Sequence, residues 1–509
     1  MNPSKKISIL KDTVIYTFAS YIVQALGVVN SIALRRFMGP EFMGIWSFLQ
    51  VILGYCGYAS FGTTKAMQRD YPYLRGRGEN EKAEELKDLT MTFSMLMSVI
   101  PAALLAGYLI TRWAAIAPAL RAGLVFITGF LFVQRFYDII ITLLRSDKKF
   151  EVLSKLVVIN ALAGLAVTFV FVSKWHMGGL LAGTALAMAG SFVFIYHQEP
   201  YRFRFFWNLP AIGQELKLGI PLVISTFLFE FLVSMDKLIL AKSIGFFAIG
   251  LYSIAMMVSQ YIYSIPMMFS HVWYPNLVEE YGRVGTTQGI KPYLLTPVFT
   301  LSIIVPFLSG MAMFTLPVIV DWFLPKFEGG LPVMRIYLLG TFFVMLAQFS
   351  NQFLVTLNKY LLPIPLLLVS IFLNLVLSLC FVHMGLGTRG IALGAALSFF
   401  FYGVSIYVLA LTHVADMREI IKNLLTIFAK LLYFSILIYV LDHAIQSHRI
   451  FFSAGLKCLI FLIFSLPFFW ILERRTKLFE HIFEIVMKKG KPQPPPDEEN
   501  LPAGTAALS

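Results

Sequence analysis

The sequence predicts an all-α, polytopic membrane protein of about 14 transmembrane helices. Composition is the first reason: of 509 residues, 58% are hydrophobic and 14% charged, where a soluble domain carries about 25% charged residues. The mean hydropathy of +0.76 agrees. The second is spacing, since apolar runs of about 20 residues, enough to cross a hydrocarbon core about 30 Å thick, recur between short charged or Gly/Pro-containing turns. Cys56, Cys380 and Cys458 all fall inside such runs, so neither a disulfide framework nor a Cys-x-x-Cys zinc site is available.

In chain order the predicted spans are 13–34, 45–62, 90–110, 119–144, 152–172, 178–196 and 219–240, then 249–274, 293–323, 333–357, 361–384, 390–411, 424–441 and 451–472. The first follows Lys5, Lys6 and Lys11, is too long for a signal-peptide core and lacks a small-x-small cleavage site, so it reads as a retained helix. An even number of spans places both termini on one side. The termini and the loops on their side hold about 26 of the 41 Lys and Arg residues, which orients that side toward the cytoplasm. The expected location is the cytoplasmic (inner) membrane, multi-pass, and most of the net charge of +13 is topological.

Loops on the predicted outer side are short and leave no room for an outer domain with an active site. On the inner side, the loop 63–89 contains Gly76 to Lys82, read as a solvated turn running into a charged helix. The segment 197–218 mixes Arg202, Arg204 and Lys217 with Tyr201, Phe203, Phe205, Phe206 and Trp207, a pattern that suits the headgroup level. The tail 474–509 is basic and then Pro-rich, and disorder is expected beyond about Gly490.

Two echoes reveal an internal repeat. Arg36, Gly39, Gly44, Trp46 and Ser47 recur as Lys242, Gly245, Gly250, Tyr252 and Ser253; the glycines that open span six, Gly179 and Gly183, recur as Gly390 and Gly394. The nearly equal offsets predict two six-helix lobes, 1–196 and 219–411, joined by a cytoplasmic linker 197–218 and followed by two extra helices within 412–473. Parallel repeats of this kind mark transporters that rock about a site between lobes.

Arg36-x-x-Gly39-Pro40-Glu41-x-x-Gly44, the loop Tyr71-Pro72-Tyr73-Leu74-x-Gly76-x-Gly78, and Asp236-Lys237 followed by Gly245, Gly250, Tyr252 and Ala255 carry a family resemblance. Across roughly residues 10–410 the chain resembles the polysaccharide-export branch of the MOP superfamily, which holds the Wzx-type flippases of lipid-linked oligosaccharides. The resemblance implies a V-shaped MATE/MOP-like bundle and transport of an undecaprenyl-diphosphate-linked sugar unit to the outer leaflet. It implies as partners a lipid-linked oligosaccharide, membrane lipids, and a polysaccharide polymerase with its export machinery. No nucleic acid and no cofactor are expected, beyond coupling to protons or sodium. A MATE-like cation-coupled exporter of small amphipathic molecules is the alternative; a glycan polymerase or ligase is disfavoured by the short outer loops.

Charges inside the membrane are costly and mark function. Arg135 and Asp138, three residues apart on span four beside Gln134, read either as a self-neutralising pair or as a site for a diphosphate. On span seven Glu230 is read as the deepest charge and the candidate for ion coupling, with Asp236 and Lys237 nearer the outer end in coupling or gating. Arg36 reads as an anchor or outer gate, and Lys65 and Arg69 as topology signals or as the first contacts of an entering diphosphate. Tyr261 on span eight and Gln348 and Asn351 on span ten complete the substrate-binding candidates. Lys430 and Lys457 lie in the extra helices and read either as snorkelling to the interface or as lining a groove for the lipid tail.

Overall fold

The computed structural model describes residues 3–446 and 450–476, with side chains from Ile22 onward. Among them are fourteen α-helices: α1 Pro3–Cys56, α2 Thr63–Gly76, α3 Asn80–Arg112, α4 Pro118–Ser146, α5 Phe150–Ala166, α6 Ser173–Gln198 and α7 Leu209–Ser243, followed by α8 Phe246–Val284, α9 Lys291–Phe323, α10 Leu331–Thr356, α11 Pro363–His383, α12 Gly387–Leu411, α13 Met417–Ala444 and α14 Ile450–Thr476. The chain is a polytopic all-α membrane protein. Eleven helical stretches among the described residues are long and apolar enough to cross a membrane, or twelve with the pair Leu209–Pro221 and Val223–Ser243, bent by 42°.

Two of these stretches, Ile22–Ser60 and Phe150–Gln198, have 39 and 49 residues. At ~1.5 Å rise per residue each greatly exceeds one bilayer crossing. Both are broken. α1 turns at Gly39 (φ 70°, ψ 173°), a conformation that excludes a Cβ, and Pro40 starts the next helix without needing an N–H donor. α6 breaks at His176 (φ 45°, ψ −119°), held by its Nδ1 at 2.9 Å from the Phe37 carbonyl and by stacking on Phe42. Divided at these points and with the bent pair counted once, the stretches number fourteen, as many as the spans read from the sequence, and α2 is additional to them.

The two repeat motifs pack against each other. Gly245 adopts φ 116° and ψ 177°, the counterpart of Gly39 at an offset of 206 residues. A methyl group on Gly44 would sit 1.8 Å from the Phe246 carbonyl oxygen, and one on Gly250 would sit 1.9 Å from that of Pro40. The contact is reciprocal, because Pro40 and Phe246 are themselves equivalent positions. Both helix starts need glycine for the backbones to touch. We refer to this as the Gly39 end of the bundle.

At the opposite end, α2 lies against α3 and α7. The sequence reading places its residues in a loop; in the structure they form a helix. Gly62 (φ 88°) precedes it, and a methyl group on Gly219 would sit 2.6 Å from the Gly62 carbonyl. The segment 199–208 has no regular structure and is strapped onto α2, α3 and α4. Tyr201 donates to Asp147 at 2.9 Å, Lys87 donates to the Arg202 carbonyl at 2.7 Å, and the Phe206 N–H donates to Thr92. Tyr201, Phe203 and Phe206 pack inward while Phe205 and Trp207 are exposed, so only two of the five aromatics are free to meet headgroups.

The described residues form two compact units, one up to Phe461 and one from Leu462 onward. In the first, α13 packs on α9. In the second, Arg474 lies over the Trp470 ring at 3.7 Å. The tail expected to be disordered falls, from residue 477, outside the described residues.

Candidate functional site

A cavity of about 330 Å³ opens between the end of α1 and the middle of α4, lined by Gln50, Cys56, Gly57, Gln134, Arg135 and Asp138 among others. Arg135 is buried. Its Nη2 donates to the carbonyls of Cys56, at 3.3 Å, and Gly57. These are the unsatisfied acceptors where α1 ends, and a cation there is favoured by the helix dipole. The buried Nε has no hydrogen-bond partner. Asp138 accepts from Gln134 at 2.9 Å instead of pairing with the arginine. The self-neutralising pair is therefore not what forms: the cation goes to backbone carbonyls and the carboxylate to an amide. One guanidinium edge is left over.

Glu230, read from the sequence as the deepest charge of span seven, has an exposed side chain. Asp236 is the enclosed carboxylate, with 0% exposure. Six residues on a helix amount to ~240° of rotation, so the two side chains face different surroundings. Asp236 Oδ1 accepts from the Lys237 backbone N–H at 2.8 Å. Its Oδ2 and the Tyr252 hydroxyl are buried neighbours, each short of full hydrogen-bond geometry, and Tyr252 packs edge-on against Tyr337 at 5.4 Å. Lys237 is half-buried beside them.

Arg36 is exposed, whereas Arg35 beside it is buried. Arg35 donates to the Ser31 carbonyl at 3.0 Å, to Ser253 Oγ at 3.2 Å and to the Ser253 carbonyl at 2.9 Å. Tyr261 shares a 3.0 Å hydrogen bond with Ser31 on the same α1–α8 seam. Sequence reasoning misses Ser31 and Ser253, because a serine in an apolar run gives no signal by itself; Ser253 is legible only as a member of the repeat.

Lys65 and Arg69 are exposed on α2, where Arg69 grips Asp70 through two contacts of 2.6 and 2.9 Å. Gln348 is half-buried on α10, and Asn351 Oδ1 is buried without a hydrogen-bond partner. Neighbouring polar groups tie α10 to α8, Ser259 to Thr341 and Ser270 to Gln352, each at 2.7 Å. His271 lies outside the described side chains. Of the sequence-predicted residues the α1–α4 cavity gathers Arg135 and Asp138 only; the candidates on α7, α8 and α10 are not among its lining residues.

Residues 77–279 match a family model described as a polysaccharide biosynthesis protein. Among solved structures the chain is similar to the lipid II flippase MurJ in an inward closed conformation, with a TM-score of 0.67 at 15% identity, covering 91% of this chain and 99% of that one. The chain has the MOP fold. A multidrug resistance MATE family transporter of the MOP superfamily, inward-facing, matches with a TM-score of 0.56 at 15% identity over 78% of this chain and 93% of its own. A mutant of the Vibrio cholerae MATE transporter VcmN matches with 0.54 at 12% over 79% and 96%. No curated protein matches in sequence. The MOP-type fold that the motif resemblance implies thus holds in three dimensions. The fold is that of membrane transporters.

Proposed function

We propose that the chain is a flippase moving undecaprenyl-diphosphate-linked oligosaccharide or polysaccharide repeat units across the cytoplasmic membrane by alternating access. The observation that carries this is the α1–α4 cavity: the Arg135 guanidinium, mostly buried and bonded through Nη2 to two backbone carbonyls, lines a space of about 330 Å³ inside a bundle of apolar helices. A diphosphate supplies acceptors for a cation so placed. The family match to polysaccharide biosynthesis supports the sugar-lipid cargo.

In this reading the lobes are 1–196 and 219–411, both termini are cytoplasmic, and the Gly39 end is the outer one. Lys65 and Arg69 meet the diphosphate on entry, Arg135 and Asp138 hold it within the membrane, and Tyr261, Gln348 and Asn351 offer hydrogen bonds to sugar. Coupling to a proton or sodium ion falls to Asp236, with Lys237 beside it, because Asp236 is enclosed and Glu230 is not. The polymerase and export machinery are the partners that would take the product. The MATE-like exporter is kept as a second reading on the strength of the fold match.

Proteoliposomes holding the purified chain and a fluorescent polyprenyl-diphosphate oligosaccharide decide between them. Wild type is expected to expose the sugar on the far leaflet, and Arg135→Ala to slow this at least tenfold at equal protein content, since a charge-assisted bond is worth ~1.5–3 kcal/mol. Transport of cationic dyes with no movement of the sugar lipid would replace the flippase by the exporter.

A further inference from the structure

Arg335, Asp442 and Lys457 have no part in the reading above. A cavity of about 280 Å³ opens between α9, α10, α13 and the first turns of α14. Its polar lining is these three residues with Gln446 and Ser453, on or beside α10, α13 and α14, while the α9 side is apolar, with Met313, Phe314 and Pro317. Asp442 stands between two cations, its Oδ2 2.8 Å from Arg335 Nη1 and its Oδ1 2.8 Å from Lys457 Nζ. One carboxylate cancels only one of two charges, so the cluster carries a net +1. Arg335 remains 48% exposed, and one contact engages few of the five donors of a guanidinium.

The depth of the cavity is marked by its neighbours. Trp322 follows Pro317 on α9 by five residues and stacks on Phe451 of α14 at 5.8 Å, with both rings largely exposed. Exposed aromatic rings at helix ends form the belt at headgroup level. A half-neutralised cationic pocket with one apolar wall at that depth matches a phosphodiester joined to acyl chains.

We propose that this cavity binds the phosphate of a phospholipid headgroup, with Arg335 and Lys457 as its ligands and Phe314 and Pro317 against the start of the acyl chains. Asp442 holds the two cations in place in the absence of lipid and weakens the site when lipid is bound. The inference stands apart from the transported cargo and holds equally for an exporter.

The test uses the full chain, purified and delipidated in detergent, with bound lipid counted by native mass spectrometry. Phosphatidylglycerol is compared with a diacylglycerol of the same acyl chains, and inorganic phosphate is added as competitor. Phosphatidylglycerol is expected to be retained and diacylglycerol not. The double variant Arg335→Gln, Lys457→Gln should bind phosphatidylglycerol about tenfold more weakly, in line with the loss of charge-assisted contacts. Displacement by inorganic phosphate would assign recognition to the anion itself; retention against it, with diacylglycerol still excluded, would assign it to the whole lipid. Asp442→Asn separates the proposal from a purely structural ion network and does not depend on the double variant folding. It raises the cluster from +1 to +2 and should tighten phosphatidylglycerol binding. Equal retention of the two lipids, or weaker phosphatidylglycerol binding by Asp442→Asn, would overturn the proposal.

Discussion

Arg35 and Arg36 are adjacent in sequence and opposite in fate. One is turned to solvent; the other crosses to Ser253 and ties α1 to α8 through two hydrogen bonds, with a third to the Ser31 carbonyl of its own helix. Removing Arg35 leaves Ser31 and Ser253 carbonyls that are already part of helices, so no charge is stranded. The loss is then limited to the bonds themselves, ~1.5–3 kcal/mol. Arg35→Ala is accordingly expected to lower thermal stability in detergent measurably, with Arg36→Ala close to wild type; equal effects would show that the buried contacts do not hold the seam. The family motif points to Arg36, and only packing shows which of the pair turns inward. Arg135 is legible as a charge in an apolar run, but its bonds to the Cys56 and Gly57 carbonyls are not, because they depend on where α1 ends relative to α4.

At the scale of elements, the two halves meet at two close backbone approaches. At the Gly39 end Gly44 and Gly250 bring α1 onto α8, and at the other Gly62 and Gly219 bring the start of α2 onto α7. Gly44→Ala places a methyl group 1.8 Å from a carbonyl oxygen, a clash that only backbone movement relieves. Overpacking of this kind costs ~1–3 kcal/mol, enough to shift a balance between two conformations. The variant should open the Gly39 end, and a cysteine at Ser253 should then react faster with a water-soluble maleimide than in wild type; unchanged labelling would remove the glycine contact from the gate.

The α2–α7 contact has a titratable group. Glu215, ahead of the span that starts at Gly219, is buried with Oε2 unpartnered. Burial, then repulsion from Asp70, pushes its carboxyl up to about 7, with Arg69 opposing. A raised carboxyl favours the closed contact in its protonated form. The contribution is full at low pH, declines as pH rises above the ordinary value of 4.5, and is lost above about 7. Spin labels on α2 and α7 should therefore show the two helices separating between about pH 5 and 8, and Glu215→Gln should abolish that dependence. A variant that separates with the same pH profile would assign the change to another group.

For the whole molecule, the proposed orientation, argued from the number of spans and the charge bias, has both termini in the cytoplasm. A reporter fused after Ser447, between α13 and α14, is expected to read extracytoplasmic. A cytoplasmic reading would invert that orientation and with it the assignment of the Gly39 end as the outer one.

The sequence by itself determined how many apolar spans the chain carries, which motifs repeat and the breaks at the repeated glycines. Each is local: apolar length sets a span, and a glycine with positive φ followed by proline or a new helix sets a break, as at Gly39 and Gly245. Tertiary structure decided which side of each helix faces inward. α7 and α8 are apolar around most of their circumference, so no amphipathic stripe sets their rotation. Neighbours set it instead, enclosing Asp236 and exposing Glu230 on one helix, and drawing Arg35 to Ser253 across another. In a membrane, where lipid is as apolar as the protein interior, the rotation of a helix is fixed by close approach and hydrogen bonding between helices, and these appear only when the chain is folded.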